Sequence, residues 1–97
     1  MPDIFSEEEA LSFERELVNL LDTEREKRAM TRNEWGKLAF ADAVVGTQGK
    51  IQDIVGKRGS RKPKRLSIGD FVKLCQVLER DPSQLLAVAL YEHSRKT

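Results

Sequence analysis

Residues 47–71 read TQGKIQDIVGKRGSRKPKRLSIGDF, and they decide more of the fold than any other part of the chain. The apolar residues Ile51, Ile54 and Val55 recur at spacings of three and four, which predicts a short helix through about residue 55. Gly56 then permits the left-handed backbone that ends a helix. A basic loop follows, and behind it a second amphipathic helix is expected.

Charge is strongly segregated along the chain. Residues 47–65 contain seven basic residues and one acidic residue, a net charge of +6, whereas the whole chain is only +1. Residues 1–26 supply the opposite charge, with nine acidic and two basic residues. Such a local cluster of positive charge is typical of a protein that binds a polyanion on one face. The alternative is that these residues form a solvated loop with no partner.

Length and composition narrow the class of protein. The 97 residues indicate one domain over residues 1–97, and no run of 18 apolar residues could span a membrane. The amino terminus is acidic and lacks the basic start of a secretory signal. One cysteine and one histidine provide neither a disulfide nor a zinc-ligand set, so we expect a reducing cytoplasm, no metal and no cofactor.

Four further helix starts follow from local capping patterns. Ser6 with Glu9 predicts a long acidic first helix over residues 7–27. Thr31 with Glu34 predicts a second helix, which would end between residues 42 and 46. The pairs Ser67–Asp70 and Asp81–Gln84 open the last two helices, the latter with Pro82 in its first turn. No segment alternates as a strand does. The sequence therefore predicts an all-α domain of five helices.

Apolar periodicity assigns the buried positions of these helices. Trp35 and Cys75 are expected in the core, and His93, near the end of the chain, is expected in solvent. The positions predicted to face inward are Phe13, Leu17, Leu20, Leu21, Trp35, Leu38, Ala39, Ala43, Ile51, Ile54, Val55, Ile68, Phe71, Leu74, Cys75, Leu78, Leu85, Leu86, Val88, Ala89, Leu90 and Tyr91.

This order of helices resembles the helix-turn-helix domain of lambda-repressor/Cro-like (XRE-type) regulators. The resemblance covers residues 30–91, with residues 1–28 as an added acidic helix. It is carried by Met30-Thr31, by TQGKIQDI at residues 47–54, and by FVKLCQVL and DPSQLL at residues 71–78 and 81–86. Trp35-Gly36 stands where the family usually has Leu-Ala. The interval from there to Ile51 is longer than usual, as in relatives from phages and mobile elements.

The resemblance implies that the third helix enters the major groove of DNA. In the major groove, glutamine can form hydrogen bonds with adenine, lysine can donate to guanine, and glycine allows the helix to approach the bases closely. The base-contacting residues would be Gln48, Gly49, Lys50 and Gln52. The residues expected on the DNA backbone are Thr47, Lys57, Arg58, Arg61, Lys62, Lys64 and Arg65.

The expected function is that of a sequence-specific regulator of double-stranded DNA, a repressor that occupies its operator. A homodimer through the last helix, at Leu86, Leu90 and Tyr91, would match a two-fold operator. The setting would be a bacterial or phage-encoded protein at the nucleoid, with no small-molecule ligand. A protein-interaction module, such as an antitoxin or adaptor that uses the acidic first helix, is the alternative. An enzyme is not expected, because the histidine is near the terminus and the cysteine lies at an apolar position.

Overall fold

The computed structural model describes residues 4–41, 47–56 and 65–95, and of residues 47–49 the backbone alone. Helices are the regular secondary structure in these ranges, which confirms the all-α class and the number of helices. They are α1 (Glu7–Lys27), α2 (Arg32–Ala39), α3 (Thr47–Val55), α4 (Ile68–Val77) and α5 (Pro82–Arg95).

Reciprocal capping fixes the first residues of α1 and α2. The Ser6 hydroxyl accepts from the Glu9 N–H at 3.1 Å, and the Glu9 carboxylate accepts from the Ser6 N–H at 3.2 Å. Thr31 and Glu34 make the same pair of bonds at the start of α2, both at 3.1 Å. Each cap contributes about 1 kcal/mol of stability, and both capping boxes were predicted from the sequence.

Three helices end on a left-handed residue. Gly56 has φ 81° and its N–H donates to the Gln52 carbonyl at 2.9 Å, so the predicted end of α3 is confirmed. Ala29 and Glu79, with φ of 54° and 55°, end α1 and α4 in the same way. An alanine or glutamate in this conformation is strained by its Cβ.

The core lies where α2 packs against α3 and α4, and α1 packs against α3 and α5. Trp35 is buried at its centre, as predicted, and its indole N–H donates to the Leu74 carbonyl at 3.2 Å. Cys75 is also buried as predicted. Val18 and Phe40 are buried core residues that the periodicity did not identify.

One predicted core residue of α2 and one of α4 lie at the surface instead. Leu38 is 62% exposed because the buried face of α2 runs through Trp35, Ala39 and the capping residue Phe40. Ile68 is 83% exposed because it is the first residue of α4, beyond the point where other helices cover it. Ala43 falls outside the described residues.

The last helix was predicted to be buried nearly all round, and this is wrong. Leu85 and Ala89 are buried, since α5 packs against α1 and α4 on one side. The remaining large apolar residues of α5 are exposed: Leu86, Val88, Leu90 and Tyr91.

His93 was expected in solvent, and this is also wrong. Its Nδ1 lies 2.8 Å from a Glu16 carboxylate oxygen, and its ring packs 5.1 Å from Phe5 and 5.7 Å from Phe13 between ring centroids. The residues that contact His93 are far from it in the sequence, so no local pattern indicated this environment. The contacts fasten the end of α5 to α1.

Within the described ranges, no helix is long and apolar enough to cross a membrane.

Candidate nucleic-acid interface

One face of α3 is built into the core and leaves polar side chains on its flanks. Ile51, Ile54 and Val55 are buried, as the spacing predicted. Lys50, Gln52 and Asp53 are partly exposed. Because α3 packs against both α2 and α1, its position is set by two neighbours rather than by its own short length.

The C-terminal end of α3 is held by an arginine from α1. Arg15 donates from its two terminal nitrogens to the carbonyls of Ile54 and Val55, each at 2.9 Å. The last carbonyls of a helix have no partner inside it, and its C-terminus attracts a cation. Burial lowers the pKa of Arg15, which the neighbouring Glu14 carboxylate opposes. This clamp fixes the end of α3 just before the basic segment, residues 57–65, begins.

Lys50, a predicted base-contacting residue, is engaged within the molecule. Its ammonium lies 3.2 Å from an Asp70 carboxylate oxygen and 4.5 Å from the centroid of the Phe40 ring. The cation therefore links α3 to the end of α2 and the first turn of α4.

Gln52 opens into a polar cleft shared with the start of α2. The cleft has a volume of about 380 Å³ and is lined by Gln52, Arg25, Thr31, Arg32 and Asn33. The first N–H groups of a helix have no partner inside it and favour an anion such as a phosphate. A polar side chain of α3 and the N-terminus of α2 thus face the same opening.

A partly buried carboxylate holds the two arginines of this cleft. Asp22 accepts from Arg32 at 3.1 and 2.8 Å and from Arg25 at 2.9 Å. Arg25 also donates to the Met30 carbonyl at 2.6 Å, which anchors the turn before α2. Burial alone would raise the pKa of Asp22, but the hydrogen bonds and charges of Arg32 and Arg25 outweigh it and lower that pKa.

Arg65 is the one member of the predicted basic segment whose side chain is described. It is exposed and donates from Nε to the Glu14 carboxylate at 2.9 and 3.1 Å. The Leu66 N–H donates to the same carboxylate at 3.2 Å. Burial would raise the pKa of Glu14, but the bonds from Arg65 and Leu66 and the charges of Arg65 and Arg15 lower it. The end of the basic segment is thereby fixed to α1.

The remaining predicted contact residues are only partly placed. Thr47, Gln48 and Gly49 form the first turn of α3, where Thr47 is the first helical residue. The other predicted backbone contacts, Lys57, Arg58, Arg61, Lys62 and Lys64, lie outside the described residues.

Sequence reasoning missed four residues around this face. Arg15, Arg25, Arg32 and Asn33 were not singled out, although each now borders α3 or the start of α2. The position of Asn33, two residues after the Thr31 cap, was a usable signal, because side chains in the first turn of a helix lie beside its unpaired N–H groups.

An apolar surface lies away from this cleft. A groove of about 370 Å³ runs between α1 and the starts of α4 and α5 and is lined by Phe13, Leu17, Phe71 and Leu86 among others. Beside it, α5 exposes Leu90 and 63% of Tyr91. Among the described residues, no group of three histidine, cysteine or acidic side chains could hold a metal ion.

Comparison of the chain with protein-family models, curated proteins and solved structures finds no match.

Proposed function

We propose that the chain is a sequence-specific double-stranded DNA-binding regulator of the lambda-repressor/Cro-like helix-turn-helix type, and that it represses by occupying an operator. The observation that carries the proposal is the cleft in which Gln52 of α3 and the N-terminus of α2 meet. In a helix-turn-helix the second helix lies in the major groove while the first meets the phosphate backbone, so both must open on one side.

The side chains on this side suit the two kinds of contact. Gln52 has the donor and acceptor that pair with adenine in the major groove. Asn33 and the N–H groups in the first turn of α2 that the capping box does not use would bind a phosphate. The segment from residue 57 to 65, with six basic residues, follows α3 in the chain and would supply affinity without sequence information.

Two-fold operators call for a dimer, and we place its interface on α5. Leu86, Leu90 and Tyr91 are exposed there, and burial of such side chains drives association. Sedimentation equilibrium tests this part separately. The expected dimer should become a monomer when Leu90→Glu places a charge in the interface, and a wild-type monomer at all concentrations would contradict it.

The main experiment is selection from random DNA duplexes by the purified protein, followed by binding measured by fluorescence anisotropy. We expect a palindromic consensus and a log affinity that falls linearly with log salt, by about 0.9 per phosphate neutralised. Gln52→Ala should weaken consensus binding by a factor on the order of ten and relax the preference at one base pair. Asn33→Ala should weaken binding to all sequences alike.

The matched control is Gln84→Ala, which makes the same chemical change at an exposed position of α5. It should leave both affinity and consensus unchanged. No enrichment of any sequence, or equal losses for Gln52→Ala and Gln84→Ala, would refute the proposed function.

The contacts of α1 bear on the alternative of an interaction module that uses its acidic face. Four carboxylates of α1 are already in ion pairs within the chain, namely Glu14, Asp22, Glu24 and Glu26, and Glu16 lies 2.8 Å from Nδ1 of His93. Deleting α1 would also remove core residues such as Leu17 and Leu21, so deletion cannot separate the two functions. Replacing Glu7 and Glu8 with glutamine tests the alternative without touching the core; loss of a protein partner together with unchanged DNA binding would favour it.

A further inference from the structure

Lys50 is held by two groups from other helices. Its Nζ is 3.2 Å from Asp70 Oδ1, and the side chains are only 29% and 15% exposed. The same ammonium lies 4.5 Å from the ring centroid of Phe40, which is fully buried. Partial shelter from water makes both contacts stronger than those of a surface pair.

The residue that supplies the carboxylate has a fixed backbone. Asp70 is in the first turn of α4, and its N–H donates to the Ser67 hydroxyl at 3.1 Å. Lysine, by contrast, is a flexible chain of four methylenes that ends in a compact charge. The lysine is therefore the partner able to exchange, and Asp70 stays beside α3 when Lys50 leaves.

We propose that Asp70 is a specificity-determining residue, because it competes with DNA for the Lys50 ammonium. This inference rests on the proposed function and deepens it. In the wild type the pair has no net charge, so Lys50 adds little to binding. Without the Asp70 charge, Lys50 becomes free to donate to the guanine acceptors of the major groove.

The experiment compares wild type, Asp70→Asn, Lys50→Gln and the double variant on the selected consensus duplex and on duplexes with each base pair changed. Asp70→Asn should bind about tenfold more tightly, the lower part of what one good base contact contributes. It should gain a preference for guanine at one position. In the Lys50→Gln background, Asp70→Asn should change the affinity by less than about twofold, because no ammonium is left to release.

Two controls separate this mechanism from general repulsion and from unfolding. Glu92→Gln removes the same charge from an exposed position on α5 and should leave affinity unchanged. Trp35 fluorescence shows whether Asp70→Asn is folded. If it is not, Asp70→Ser, which keeps a small polar residue in the first turn of α4, takes its place and should show the same gain in affinity.

The outcomes distinguish this inference from the proposed function. Wild-type binding with no gain for either Asp70 variant, or an equal gain with and without Lys50, overturns the inference alone. Failure of every variant to bind any duplex overturns the proposed function and the inference together.

Discussion

Arg15 binds the last two carbonyls of α3, so its removal should lower the free energy of unfolding by more than the removal of an exposed arginine would. Arg15→Ala deletes two hydrogen bonds of 2.9 Å from a cation to the Ile54 and Val55 carbonyls. A hydrogen bond to a charged group contributes about 1.5–3 kcal/mol, and a cation at a helix C-terminus about 0.3–1 kcal/mol. The site is only part-buried, so water replaces some of the loss. We expect the free energy of unfolding to fall by about 2 kcal/mol.

Urea unfolding followed by fluorescence measures this change, because Trp35 is the single tryptophan and is buried. For a chain of this size the urea dependence is roughly 1–1.5 kcal/mol per molar, so the midpoint should fall by about 1.3–2 M. Arg15→Lys keeps the charge but lacks the fork that reaches both carbonyls, and it should recover less than half of the loss. Amide exchange at Gly56, whose N–H closes the last turn, should accelerate in Arg15→Ala.

The matched control is Arg28→Ala at the C-terminal end of α1. Arg28 pairs with Glu79 at 3.2 Å, but both side chains are well exposed, and such pairs contribute about 0–1 kcal/mol. If Arg15→Ala destabilises the protein no more than Arg28→Ala does, then the two bonds do not hold α3, and the clamp is refuted.

Three further predictions concern other residues. Ala29→Gly should raise the free energy of unfolding by roughly 0.5–1 kcal/mol, because glycine relieves the strain of φ 54° at the end of α1; no change in the urea midpoint would contradict this. Cys75 is fully buried, and burial, with the charge of Asp81, raises the pKa of its thiol to about 11, so a thiol reagent at pH 8 should react only after unfolding. The folded-state pKa of Asp22 lies below its unfolded value of about 3.9, so the unfolded chain binds more protons in acid. The stability that Asp22 contributes is therefore complete above about pH 5 and lost as the pH falls below about 4, and Asp22→Asn should flatten this part of a pH series of urea midpoints.

Local patterns were sufficient to predict where the helices begin, but not where α2 ends: it ends at Ala39, whereas the sequence predicted an end between residues 42 and 46. A capping box is a matter of four consecutive residues, so Ser6–Glu9 and Thr31–Glu34 could be identified without knowing what packs nearby. The spacing of Ile51, Ile54 and Val55 likewise identified the buried face of α3, since three and four residues return to the same side of a helix.

The prediction of buried residues was wrong where a neighbouring helix does not extend far enough to cover them. Ile68 has the spacing of a core residue, but it stands one turn beyond the covered part of α4. Leu90 and Tyr91 lie on a helix that has neighbours on one side only. Periodicity shows which residues share a face and does not show how far a neighbour extends along it.

The contacts that organise the candidate interface could not be predicted, because they join distant residues. Arg15 meets Ile54 across 39 positions, and Arg65 meets Glu14 across 51. The outward position and the chemistry of Lys50 predicted a base contact. Neither of them indicates the Asp70 carboxylate that lies 3.2 Å from its ammonium. A single sequence contains no information on such pairings until the helices are placed.

The charge segregation in the sequence acquires a different meaning from these contacts. Along the chain, the acidic residues of positions 1–26 and the basic residues of positions 57–65 stand far apart. In the fold, Glu14 binds Arg65 at 2.9 Å, and Asp22 binds Arg32 at the start of α2. The acids of α1 thus act within the chain, where they orient the arginines that border α3. Since a carboxylate that holds an arginine also neutralises it, the net charge available to a polyanion on this side depends on the side chains that α1 does not bind.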